Sequence, residues 1–387
     1  MPRVLRLVAA CALTVAAVLP SSAAAKVPQG FFGVMVDGPA TETPGILERE
    51  APRIRAAGAQ TVRFAIDWAS AQPYATAADV PEAERARFTD VDGVPTDLSR
   101  SDRIVRLLAA QGLRPLPVIL HAPDWAAKFP GSLLTDPRRY ASPPSGPEPY
   151  ARFVAALARR YGPTGSLWST VPPQRRRPIR TWQVWNEMNL NVFWNEPDFQ
   201  KGYVPLLQAT RAAVRAVDPR ALIATGGLTN GSVPAWTALR RIYEAGGRGS
   251  FDVVAIHPYT RSAAGVLATV RATRRVTAAR GQRTIPIVLT EVAFSSSAGD
   301  SPDARRFATW DTTERGQADR LRSTFRLLAR QRRALGIGGV SWYTWLSPQA
   351  RRASWSSYAG LSRLSGDRIV RKPALLTYRT TVRELSR

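Results

Sequence analysis

Ile179-Arg180-Thr181-Trp182-Gln183-Val184-Trp185-Asn186-Glu187 begins just after Pro178, runs through β-branched and aromatic residues, and ends on two polar side chains. Such a bounded run reads as one short buried strand. The same unit recurs on either side of it. Strand patterns precede it at 31–36, 61–66 and 114–120, and follow it at 221–225, 251–256, 285–290 and 339–344, each bounded by Gly, Pro or polar residues. Helical patterns lie between them. Phe153, Leu157 and Tyr161 fall four residues apart, Leu207, Val214 and Val217 share a face, and Leu321, Phe325 and Leu328 form a stripe flanked by arginines. Those spacings mark amphipathic helices with one buried face. Residues 371–385 supply the last helix. Eight strand-then-helix units predict the α/β class and a (β/α)8 TIM barrel. An open doubly wound sheet would usually carry a glycine-rich turn after its first strand, and Gly33-Val34-Met35-Val36-Asp37-Gly38 does not supply one.

Composition agrees with one barrel-sized domain over residues 26–387. Of 387 residues, 44% are hydrophobic and 21% charged, which allows a substantial core and excludes a disordered chain. Residues 1–25 read as a secretory signal peptide: Arg3 and Arg6, an apolar run from Leu7 to Leu19, then Ala23-Ala24-Ala25 at the cleavage positions. The expected destination is extracellular. The apolar run is too short to span comfortably as a mature membrane helix, so no membrane insertion is expected after cleavage. Val8-Ala9-Ala10-Cys11 faintly resembles a lipidation box, but its hydrophobic stretch is wrongly placed around the cysteine. Cys11 is the only cysteine, so residues 26–387 contain no thiol, disulfide or Cys-ligated metal.

The formal net charge is +25, and lysine occurs only at 26, 128, 201 and 372, so nearly all the basic residues are arginine. Such a field attracts polyanions. The arginines are spread over almost every helix instead of forming one tail, which reads as a solvated basic surface and not as a nucleic-acid footprint.

Long loops follow strands two, three, four, seven and eight, at 73–99, 121–149, 186–200, 292–314 and 346–370. All leave the C-terminal ends of strands, the barrel face where active sites are built. The loop before strand four, 162–178, lies on the opposite face, so Arg175-Arg176-Arg177 belongs to the solvated bottom surface. Two strand ends carry glutamates: Asn186-Glu187 after strand four and Thr290-Glu291 after strand seven. Either alone could be a helix cap or a rim salt bridge. Together they place two carboxylates across one barrel mouth, the arrangement glycosidic bond cleavage needs, with one group protonated and the other ionised.

Trp182-Gln183-Val184-Trp185-Asn186-Glu187-Met188-Asn189-Leu190 resembles the acid/base segment of the clan A retaining glycoside hydrolases, a (β/α)8 clan with catalytic glutamates after strands four and seven. The sequence is most similar to family thirty-nine and to cellulase-like relatives in family five. The resemblance implies that Glu187 is the acid/base, that Asn186 holds the sugar 2-hydroxyl, and that Glu291, in Ile287-Val288-Leu289-Thr290-Glu291, is the nucleophile. Arg63 on strand two, His257-Pro258-Tyr259 after strand six and Trp345 after strand eight resemble further clan positions. The similarity runs over roughly residues 30–385. Met188 stands where the family usually has proline, and Val292-Ala293-Phe294 replaces a more polar or tryptophan-containing stretch.

The residues themselves suggest compatible roles. Arg63 alternates with Val62, Phe64 and Ile66 and needs a carboxylate partner, either Glu291 or one of Asp37 and Asp67. Tyr259 could bond Glu291 or pack at the rim. His121 and His257, the only histidines, could bind sugar hydroxyls or be structural. No His-x-x-x-His spacing occurs, and neither a metal nor another cofactor is expected. Trp345, Trp125 and Trp194, out of Trp125, Phe193, Trp194, Trp310, Trp342, Trp345 and Trp355, are the chosen platforms for sugar faces. The expected function is a secreted, monomeric retaining glycosidase acting on a carbohydrate substrate, with no nucleic-acid partner. Two alternatives remain: a non-catalytic barrel that binds acidic polysaccharide or cell wall, and a transglycosylase using the same glutamates.

Overall fold

The computed structural model describes residues 26–131, 142–301, 310–348 and 354–387. The expected leader, residues 1–25, lies outside the described residues, as do parts of the loops after the third, seventh and eighth strands. All eight expected strands are present, their ends moved by three residues at most: β1 Phe32–Met35, β2 Thr61–Asp67, β3 Arg114–Leu120, β4 Thr181–Val184, β5 Leu222–Ala224, β6 Val254–His257, β7 Ile287–Val292 and β8 Ile337–Trp342.

Every pairing in this sheet is parallel, and β1 pairs with both β2 and β8. The ring closes through the fifth strand, which comes in two pieces. β5 pairs with β4 at Thr181↔Leu222, while its continuation Leu228–Thr229 pairs with β6 at Leu228↔Ile256. A bridge between Ala224 and Val253 joins β5 to the approach of β6. The chain is a closed (β/α)8 barrel.

Eight helices follow the eight strands: α1 Ile46–Ala56, α2 Ser99–Ala110, α3 Pro147–Tyr161, α4 Phe199–Val217, α5 Ala235–Glu244, α6 Ala263–Ala279, α7 Glu314–Leu335 and α8 Pro373–Ser386. Their ends follow local chemistry. Proline at the first position starts α3 and α8, where a missing N–H costs nothing. Thr313 caps α7 by accepting from the Gly316 N–H, and Gly336 ends it at φ 58°, a conformation open to glycine. The expected stripes face inward: Phe153, Leu157, Tyr161, Leu321, Phe325 and Leu328 are all buried. β1 is buried along its whole length, as a parallel strand covered on both faces should be. Phe32 stacks on Phe325 at 5.2 Å and so ties β1 to α7. Among the described residues no helix is long and apolar enough to cross a membrane.

The loops at the C-terminal face hold structure of their own. A hairpin, Thr89–Val91 with Val94–Thr96, turns through Asp92-Gly93, both at positive φ. The loop after β8 carries Leu346–Ser347 beside Ser362–Ser365, which pairs antiparallel with Arg368–Arg371 through a turn at Gly366.

Candidate active site

The inner layer of the barrel is polar at one level. Arg63 on β2 points inward and is 1% exposed. Its guanidinium has four partners: Nε donates to Gln183 Oε1 (2.7 Å), Nη1 to Glu291 Oε1 (2.5 Å) and to Met35 Sδ (3.4 Å), and Nη2 to Asn186 Oδ1 (2.8 Å). Of the carboxylates open to it, Arg63 takes Glu291. Asp67 instead meets His121 Nδ1 at 2.6 Å. Burial raises the Asp67 carboxyl, but the His121 and Ser70 contacts outweigh it and hold the group below its ordinary value.

Backbone geometry aims both glutamates. Trp185 and Glu187 sit at positive φ, 64° and 42°, directly past β4. Non-glycine residues persist in that region only where their surroundings over-determine them. Here the Glu187 N–H donates to Gly226 O (2.8 Å) and the Trp185 N–H to Ile119 O (2.9 Å). The break in the fifth strand is what admits this segment. A Cβ on Gly226 would lie 2.5 Å from Trp185 O and one on Gly227 2.2 Å from His257 Nε2, and Gly227 has φ 43° besides. On β7 the register against β8 slips between Leu289 and Val292, so Glu291 projects from an irregularity instead of continuing the ladder.

Glu187 and Glu291 thus face each other, with His257 between. One oxygen of each carboxylate and a ring nitrogen of His257 lie within 4.8 Å of one another. His257 Nδ1 is 2.6 Å from Glu187 Oε1 and 3.6 Å from Glu291 Oε2, and Nε2 is 2.9 Å from Thr290 Oγ1. Tyr259 donates its hydroxyl to Glu291 Oε2, which settles its alternative in favour of a hydrogen bond.

The environments of the two acids differ. Burial pushes the Glu187 carboxyl up to about 7, against opposing effects from Arg63 and Thr229. Burial pushes His257 down to about 3, so its imidazole is neutral between the two acids. Glu291 instead holds a guanidinium on one oxygen and a phenol on the other, both donors that stabilise negative charge. The trio of Glu187, His257 and Glu291 is spaced to hold a metal ion, but the donor set does not suit one. Both Glu291 oxygens and both His257 nitrogens are already engaged, and Arg63 puts a cation where the ion's charge would fall.

A third carboxyl belongs to the site. Asp37, just past β1, accepts from Thr344 Oγ1 (2.5 Å) and from Tyr343. Burial pushes it up to about 6, the hydrogen bonds oppose this, and the charge of Glu291 adds to it.

The same fold is found in solved glycoside hydrolases. A family 39 glycoside hydrolase from the gut symbiont Bacteroides cellulosilyticus superposes with a TM-score of 0.61 at 19% identity, covering 91% of this chain and 63% of that enzyme. The chain therefore spans less than two thirds of that protein's length. A family 39 β-xylosidase from Caulobacter crescentus gives 0.59 at 19% identity, over 92% and 71%. A β-glucosidase from Thermotoga maritima gives 0.59 at 12% identity, over 94% and 99%. No family model matches the sequence, and no curated protein matches it.

The clan-like positions Arg63, Asn186, Glu187, His257, Tyr259 and Glu291 therefore converge. The three tryptophan platforms do not. Trp345 is wholly buried and turned outward from the barrel, its Nε1 donating to Glu50 Oε2 (2.9 Å). Glu50, itself buried, also binds Arg53 and Arg371, and its need for donors fixes Trp345 there. Trp194 is likewise core, edge-on to Trp185 at 5.5 Å and to Tyr203 at 5.9 Å. Trp125 is half-buried, packs edge-on to Trp68 at 5.8 Å and donates to Gln72 O, facing the loop after β2. His121 sits at the rim with Nδ1 on Asp67. The aromatics beside the carboxylates are others. Trp355 and Trp310 stand 4.8 and 6.4 Å from the Tyr259 ring, with Tyr343 at 6.5 Å, and all three are half-buried. Gln183 and Thr290, which hold Arg63 and His257 from below, lie inside the two stretches that carry the glutamates and were read only as strand.

Proposed function

We propose that the chain is a secreted, monomeric retaining glycoside hydrolase acting on an oligo- or polysaccharide without a cofactor. The observation that carries this reading is the opposed pair Glu187 and Glu291. Their oxygens approach within 4.8 Å, burial raises the Glu187 carboxyl, and Glu291 accepts hydrogen bonds from Arg63 and Tyr259. Retaining enzymes need carboxyls about 5–5.5 Å apart, while inverting ones leave room for a water at about 6.5–9.5 Å. The close approach supports double displacement.

In the first step Glu291 attacks the anomeric carbon. The bond to the leaving oxygen breaks as Glu187 transfers its proton to that oxygen. Arg63 and Tyr259 align the attacking carboxylate. In the second step Glu187, now ionised, takes a proton from water, whose oxygen displaces Glu291 and releases the sugar with its configuration retained. Asn186 offers its amide nitrogen toward the sugar 2-hydroxyl, its oxygen being anchored on Arg63. Half-buried Trp310 and Trp355 supply the apolar wall on which a sugar ring can lie.

The test is a panel of aryl glycosides and polysaccharides, with product stereochemistry followed by NMR. Hydrolysis with retention by the wild-type protein, lost in Glu291→Ala, is expected. Inversion would refute the mechanism, and undiminished turnover in the variant would refute the site.

A further inference from the structure

The N-terminal mouth of the barrel, opposite the glutamates, opens into a cavity of about 590 Å³. Residues at the starts of all eight strands line it, and four arginines stand at its rim: Arg114, Arg176, Arg177 and Arg180. No aspartate or glutamate is among its lining residues. The guanidiniums are positioned by uncharged groups. Arg114 donates to Gln29 O and Gln29 Oε1, Arg176 Nε to Val171 O, and Arg177 Nη1 to the carbonyls of Gln174 and Arg176. Two glycines make room for them: a Cβ on Gly30 would lie 2.6 Å from Arg114 Nη1, and one on Gly112 3.4 Å from Arg177 Nη2. Arg114, Arg176 and Arg177 are therefore held in place by groups that do not neutralise them. Elsewhere on the surface arginines are commonly paired, as Arg103 with Glu48 and Arg326 with Glu384 are.

A cleft lined by one sign of charge concentrates counter-ions, and arginine forks match carboxylate and phosphate oxygens in pairs. The walls between the arginines are largely apolar, through Leu116, Pro286, Val288 and Val340. A cavity of this size admits one or two sugar rings. From these features we infer a second binding site at the bottom of the barrel, taking an anionic saccharide: a sugar acid or a sugar phosphate. Nucleic acid fits it less well, because the charges ring one concavity instead of tracking a backbone, and among the described residues no exposed aromatic lines it to stack a base. The site does not depend on the glutamates having the function proposed above.

Equilibrium binding by calorimetry tests this, with glucuronate and glucose 1-phosphate as charged probes, glucose as the neutral one, and random single-stranded DNA as a competitor. The wild-type protein should bind both charged probes at least tenfold more tightly than glucose, and weaken as salt rises. Arg176→Ala/Arg177→Ala should lose at least tenfold for the charged probes, and Arg180→Ala, which removes a side chain with no carboxylate partner among the described residues, should lose severalfold. Unchanged melting temperatures would show that both variants fold. Equal binding of glucose, or full retention of charged-probe binding in the folded double variant, would overturn the inference. Tight DNA binding that displaces the probes and vanishes in the double variant would overturn the assignment to saccharides. If only one charged probe binds, the anionic group is assigned to that kind.

Discussion

Replacing Glu187 with Gln should change how stability depends on pH. The carboxyl has an ordinary value of 4.5 and is pushed up to about 7 in the folded protein, burial being the main cause. Folding therefore favours the protonated form. Its stabilising effect is complete below pH 4.5 and disappears as pH rises through about 7. A shift of about 2.5 units corresponds to roughly 3 kcal/mol, at about 1.4 kcal/mol per unit. Gln has nearly the same shape, stays neutral at every pH and can donate to His257 Nδ1 as the protonated acid does. The variant should thus match the wild type near pH 4.5 and exceed its stability by roughly 3 kcal/mol at pH 8.5. Chemical denaturation at several pH values measures this directly. Taking the difference between the two proteins removes the contribution of Asp37, which titrates in both. A stability difference independent of pH would refute the reasoning, since Glu187 would then not be a buried acid with a raised value. Wild-type kcat/KM should fall on the alkaline side of about 7 for the same reason, as the proton donor is lost.

Four further outcomes are expected. Glu187→Ala should damage poor leaving groups most and recover with azide to a retained glycosyl azide, whereas Glu291→Ala should fail on every substrate and give any azide product inverted; the reverse pattern would exchange the two roles. Tyr259→Phe removes a bond to a charged acceptor worth roughly 1.5–3 kcal/mol, so kcat should drop about 10- to 150-fold, which steady-state kinetics will show. Arg63→Gln leaves Glu291 buried and unpaired, and should cost about 3–5 kcal/mol in denaturation as well as activity. Trp355→Ala should raise KM with little change in melting temperature, whereas Trp345→Phe should lower melting temperature with KM unchanged.

The barrel could be read from the chain because each of its eight units repeats one physical pattern, an apolar run followed by an amphipathic stripe. The irregular loop structures broke that pattern. The hairpin at Thr89–Thr96 has only three residues in each strand, too few to show a period, and is signalled only by Asp92-Gly93, a pair suited to its tight turn. The interruption of the fifth strand was written as Gly226-Gly227, yet its meaning depends on Trp185, Glu187 and His257, which reach those glycines from other strands. No local rule connects them.

The candidate site divides along the same line. Arg63, Asn186, Glu187, His257, Tyr259 and Glu291 lie on strands or within three residues of a strand end, where the barrel geometry decides which way a side chain points. Trp125 and Trp194 lie further along the loops, where no period applies. Trp345 stands only three residues past β8, but its direction is decided by the buried Glu50 on α1, nearly three hundred residues earlier in the chain. Trp310 and Trp355 take their place beside Tyr259 through loops from two different strands, and their proximity is a tertiary fact. Asp37 follows β1 just as Glu187 follows β4, so its inward position was open to the same argument that found the glutamates. It was weighed only as a partner for Arg63. Its observed partners are instead Thr344 and Tyr343 from the end of β8, with the charge of Glu291 near enough to raise its carboxyl, so what places Asp37 at the site is again a set of contacts from distant strands.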